Sequence, residues 1–112
     1  MKLLLTVTLT LFTFINGKAQ LLDTVRPLTE INVALQADAY PYITNDGLRL
    51  YYTNNSTGTN DLYFTSRTSM VASFTTPQLV DATMFSGITS SWFSEDELEI
   101  YYSSGSIIYH AS

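Results

Sequence analysis

Bulky and polar side chains alternate in two stretches of this chain, and the stretches are versions of one another. The first is Pro41-Tyr-Ile-Thr-Asn-Asp-Gly-Leu-Arg-Leu-Tyr-Tyr-Thr53. The second is Ser91-Trp-Phe-Ser-Glu-Asp-Glu-Leu-Glu-Ile-Tyr-Tyr-Ser103, and the two align without a gap at an offset of 50 positions. Asp46/Asp96, Leu48/Leu98, Tyr51/Tyr101 and Tyr52/Tyr102 are identical, while Tyr42/Trp92, Ile43/Phe93 and Leu50/Ile100 conserve bulk. Period-two alternation bounded by turn formers is the mark of strands. Self-similarity at a fixed spacing of this size marks a repeat architecture.

In the first copy, Ala39 to Thr44 reads as a strand, Asn45-Asp46-Gly47 as a tight turn, and Leu48 to Thr53 as the returning strand. Asp accepts hydrogen bonds from the amides that follow it, and Gly enters positive φ without steric cost. Leu48, Leu50 and Tyr52 point one way, Arg49, Tyr51 and Thr53 the other. Bulk on both sides predicts a sheet covered on both faces. Asp61 to Ser66 supplies a third strand and Ser73 to Val80 a fourth. Strand, turn, strand, loop, strand, loop, strand over about 45 residues fits one propeller blade.

The second copy repeats the order with Ile88 to Ser94, Leu98 to Ser103 and Ile107 to Ala111. Tyr109 answers Tyr63 at an offset of 46, a loop shorter by four residues. Upstream, Pro27 answers Pro77, so Leu28 to Ile31 is expected to be an outer strand belonging to a preceding unit. Glu97 stands where Gly47 does. A glutamate does not enter positive φ as freely as glycine, so the second turn is expected to differ in type.

The expected class is therefore all-β: a partial β-propeller of antiparallel four-stranded blades, one complete and one incomplete, preceded by a helical signal peptide. Residues 1–19 are the signal peptide, 20–38 a lead-in with the outer strand, 39–81 the first blade, and 82–112 a second blade lacking its fourth strand. The leader reading rests on Lys2, the apolar run Leu3 to Ile15, and small residues at Gly17 and Ala19, which predict cleavage between Ala19 and Gln20. The run is too short to span a membrane. After cleavage 112 − 19 = 93 residues remain, enough for one small domain.

Charge and cysteine narrow the function. The mature chain keeps Arg26, Arg49 and Arg67 against ten carboxylates, 3 − 10 = −7. That balance excludes a phosphate-backbone binder, which needs a basic face. An exported chain without cysteine is held by packing alone. It also has no thiol for a lipid anchor, so a soluble product with no integral membrane span is expected after the signal is removed, unless a further region anchors it.

Candidate chemistry is sparse. His110 is the sole histidine, and no nucleophile and orienting group accompany it as a triad requires. One His and no Cys cannot close a zinc site. Glu95, Asp96, Glu97 and Glu99 form the densest acidic run but lack the spacing of a calcium loop, and neighbours on one turn do not oppose each other across a sugar. Arg26, Arg49 and Arg67 could form a carboxylate clamp of the sialidase kind, but Asp46-Gly47 lacks that family's Asp-box spacing and following Trp. Arg49 is expected to lay its stem along a sheet face. Tyr51, Tyr52, Tyr63, Tyr101, Tyr102 and Tyr109 fit packing between blades better than sugar stacking. No cofactor, metal site or catalytic residue is expected. The residues singled out are the repeat turns Asp46, Gly47, Asp96 and Glu97.

The series Pro41…Thr44-Asn-Asp-Gly47-Leu-Arg-Leu-Tyr51-Tyr52…Asp61-Leu62-Tyr63 resembles the WD40-like propeller repeat, also called the PD40 or TolB-type repeat. Units of that family carry a proline, a Ser/Thr-x-Asp-Gly turn, a Leu-Tyr-Phe-like strand and then Asp-Leu/Ile-Tyr. The second copy departs from it at Ser91, Glu97 and Ser106-Ile107. The resemblance implies a periplasmic or extracellular propeller that serves as a protein- or envelope-binding scaffold and does no chemistry of its own. Because two units cannot close a ring, the chain is expected to be a truncated piece of a longer propeller or to assemble with copies of itself. Two alternatives stay open: the N-terminal part of a sialidase-like, glycan-acting enzyme, or a propeller that gates a peptidase domain encoded downstream.

Overall fold

A computed structural model describes residues 26–33 and 35–112, and the signal peptide with its Ala19–Gln20 cleavage point lies outside them. The described residues are all-β. Seven strands form two antiparallel sheets: β1 (Asp38–Ile43), β2 (Arg49–Asn54), β3 (Asp61–Ser66) and β4 (Gln78–Leu79) in the order 1-2-3-4, then β5 (Ile88–Phe93), β6 (Ile100–Ser104) and β7 (Ile107–Ala111) in the order 5-6-7.

Their registers repeat. Asp38 pairs with Asn54, Tyr42 with Tyr51 and Ile43 with Leu50; fifty positions on, Ile88 pairs with Ser104, Trp92 with Tyr101 and Phe93 with Ile100. Each first strand carries one extra residue, between Ala39 and Tyr42 in one sheet and between Ile88 and Ser90 in the other. Pro41, with no amide to donate, falls inside the first irregularity, where the ladder needs no donor. Tyr52 opposes Tyr63, and Tyr102 opposes Tyr109, as the offset of 46 requires.

Both faces of the first sheet are covered. On one, Leu50 and Tyr52 pack with Ile31 and Phe74, flanked by Leu28 and Tyr63. On the other, Tyr42, Tyr51 and Leu62 meet Ile88, Phe93 and Ile100 of the second sheet. The polar residues Thr53, Asn54 and Thr65 buried in this sheet are hydrogen-bonded, as the cost of an orphan demands, whereas Arg49 Nε is buried without a partner. Thr53 donates to the Ala39 carbonyl, Asn54 to Gln36 and Asp38, and Thr65 to the Thr75 carbonyl.

Two expected strands differ. Leu28 to Ile31 is a turn, not an outer strand: the Leu28 carbonyl accepts from the amides of both Ile31 and Asn32. This curl tucks Ile31 onto Leu50 and Tyr52, burying an apolar group that an extended edge strand would leave in water. The expected fourth strand shrinks to Gln78–Leu79. Pro77 offers no donor to a ladder, Phe74 turns into the core, and Thr75 meets β3 outside the regular register, its amide donating to the Ser66 carbonyl and its carbonyl accepting from the Thr65 hydroxyl.

Candidate interaction surface

The two tight turns are built alike. In the first, the Thr44 hydroxyl donates to Asp46 Oδ1 at 2.6 Å and accepts from the Arg49 amide at 3.1 Å. The Leu48 amide reaches Asp46 Oδ1 at 2.9 Å, and the Gly47 amide reaches the Thr44 carbonyl at 2.8 Å. In the second, Ser94, Asp96, Leu98, Glu97 and Glu99 reproduce these contacts at 2.6, 3.0, 3.1 and 2.9 Å. Gly47 has φ +71° and Glu97 +58°. The expectation of a different second turn is therefore corrected. Several bonds at about 0.5–1.5 kcal/mol each outweigh the roughly 1–2 kcal/mol that a left-handed glutamate costs.

The same bonds hold both carboxyls below their ordinary 3.8. The Thr44 hydroxyl acts first on Asp46, followed by the Leu48 amide. Ser94 and the Leu98 amide do the same for Asp96.

The left-handed backbone directs the Glu97 side chain at the first sheet, where it is nearly buried. Its carboxylate pairs with Arg49 and accepts a hydrogen bond from the Tyr51 hydroxyl at 2.9 Å. Burial pushes the Tyr51 hydroxyl up to about 12, and the Glu97 carboxylate adds to the rise. Arg49 thus bridges the sheets rather than only lying along one, with Asp46 a further 3.7 Å contact. The Phe93 ring stacks on Tyr51 with centroids 4.0 Å apart and tilts against Tyr42 at 5.3 Å. Tyr42 donates to the Phe93 carbonyl. The Arg49–Glu97–Tyr51 cluster was missed from sequence. Its one legible signal was a costly residue standing where glycine would fit.

The far side of the second sheet is the counterpart of this receiving face. Tyr42, Tyr51, Leu62 and Phe64 correspond to Trp92, Tyr101, Ile108 and His110. Leu62 is fully buried, whereas Ile108 is 77 % exposed, Trp92 54 % and Tyr101 43 %. Trp92 and Tyr101 lie 5.9 Å apart, and His110 stacks on Tyr101 at 4.5 Å. Together these side chains leave an exposed aromatic and apolar face on the second sheet.

The remaining candidates do not gather into a catalytic group. His110 Nε2 lies 3.9 Å from Glu99 Oε1. The three arginines are engaged separately: Arg26 with Glu30, Arg49 with Glu97 and Asp46, and Arg67 with the carbonyls of Gly47 and Met70 while its guanidinium lies over Phe74. Among the described residues, no group of three or more His, Cys, Asp or Glu is placed to hold a metal ion. Set against known proteins, the chain matches no family model, no curated protein and no solved structure.

Proposed function

We propose that the chain is an exported β-propeller segment of the WD40-like kind, acting as a binding scaffold for a protein or envelope partner. The observation that carries the reading is the repetition itself: two sheets with one register, one turn and one pair of faces, the receiving face of the second left open. Elements that bury their faces only against siblings are the building units of propellers and solenoids. An open aromatic face is where such a unit meets its next neighbour or its partner. The acidic charge and the leader suit an extracytoplasmic address, and no chemistry is assigned to the segment.

In vivo photocrosslinking from position 108 tests this, combined with fractionation and N-terminal sequencing of the exported product. The expected outcome is a product beginning at Gln20 and one discrete crosslinked envelope protein. A cytoplasmic product retaining Met1, or crosslinks indistinguishable from those made at the exposed loop residue Thr57, would defeat the proposal.

A further inference from the structure

The receiving faces of the two sheets share a register and an aromatic pair and differ in charge. On the first, the Tyr42 and Tyr51 rings take Phe93, and Arg49 takes the Glu97 carboxylate. On the second, Trp92 and Tyr101 repeat the aromatic pair, but Glu99 stands in place of Arg49 and His110 in place of Phe64. A carboxylate arriving where Glu97 arrives would meet another carboxylate, and like charges juxtaposed at an interface disfavour docking. The second sheet of another copy carries Glu97 and is therefore a poor occupant. The first sheet of another copy is no better, because the side it would present is covered by Ile31 and Phe74.

We infer that the open face receives a further sheet of the same repeat whose tight turn carries lysine or arginine where this chain has Glu97, with an aromatic or apolar side chain where it has Phe93. The occupant is thus a cation-tipped antiparallel hairpin, set between Trp92 and Tyr101 with its charge over Glu99. The inference rests on reading the two sheets as successive repeat units and adds the selectivity of the next interface.

The test extends the full chain after Ser112 with a second copy of residues 67–112, since Ser112 corresponds to Ser66 at the offset of 46. The appended copy carries Trp92→Tyr, so that Trp92 of the original chain is the only tryptophan reporting. One version keeps the appended glutamate, and the other carries Glu97→Lys in the appended copy alone. Acrylamide quenching of Trp92 reads docking, and far-UV circular dichroism verifies that both versions gain strand. The lysine version is expected to shield Trp92, with a docked population favoured about tenfold over the glutamate version at low salt. Glu99→Arg in the original chain is expected to reverse the preference. Equal shielding by both versions, or no reversal with Glu99→Arg, overturns the charge selectivity while leaving the repeat reading standing. No shielding by either version overturns both.

Discussion

Leu62 and Ile108 occupy the same place in two copies of one sheet, yet the first is sealed from water and the second stands in it. The same contrast runs through Tyr51 and Tyr101, and through Tyr42 and Trp92. One receiving face is a core and the other a surface, although these three pairs of apolar and aromatic residues differ little in type. The difference shows that in this architecture burial belongs to the neighbour rather than to the strand. Each sheet defines which of its sides is apolar, and the next element decides whether that side becomes interior.

Paired substitutions sharpen this contrast. Leu62→Ala should cost about 2–5 kcal/mol in urea unfolding, as buried large-to-small changes do. Ile108→Ala should stay within about 0.5 kcal/mol, as exposed changes do. Equal losses would erase the distinction between the two faces. At the turns, Gly47→Ala should cost about 1–2 kcal/mol by forcing a side chain into left-handed backbone, where its Cβ would also stand 2.5 Å from Met70 Sδ. Glu97→Gly should fall within about 1 kcal/mol of neutral, because relief of the same strain opposes loss of the Arg49 and Tyr51 contacts.

Smaller still, Tyr51→Phe should cost about 1 kcal/mol by leaving Glu97 short of a donor, whereas Tyr101→Phe should have no measurable effect. The protonation equilibria complete the comparison. Asp46 and Asp96 should both titrate below 3.8 in a carbon-detected NMR series. Their pKa values are depressed in the fold, so the stability they lend is full above 3.8 and is lost as pH falls through the folded values. Tyr51 works in the opposite direction. Its raised pKa favours the neutral hydroxyl, so its contribution is complete below pH 10 and is lost as pH climbs through about 12. Ultraviolet titration of the wild type against Tyr51→Phe reads that step, and removal of an ordinary tyrosine titration by the substitution would contradict it.

Much of the fold was legible because it depends on local spacing. The bounds of β3 and β7, the pairing of Tyr52 with Tyr63 and Tyr102 with Tyr109, and the placement of Asp46 and Asp96 at equivalent corners follow from alternation and from the offsets of 50 and 46. The segment Leu28 to Ile31 was not legible, since its preference for a turn comes from the apolar floor of Leu50 and Tyr52 beneath Ile31. Ser73 to Val80 misled for a similar reason: Phe74 turns into the core and Thr75 meets β3 outside the regular register, so only Gln78–Leu79 pairs as a strand.

The candidate surface divides along the same line. The aromatic residues that build it were visible as strand positions, but their exposure was not. Glu97 was visible only as a departure from glycine; its work became clear when the left-handed turn carried its carboxylate to Arg49 and Tyr51 of the other sheet. By itself the sequence determined a twice-spelled antiparallel sheet, its turns and the apolar sides of its strands, because those depend on neighbours a few residues away. Tertiary structure alone decided which apolar side was filled, which charge crossed the gap and where strain was retained. Those outcomes depend on groups that the chain separates by tens of residues and only packing brings together.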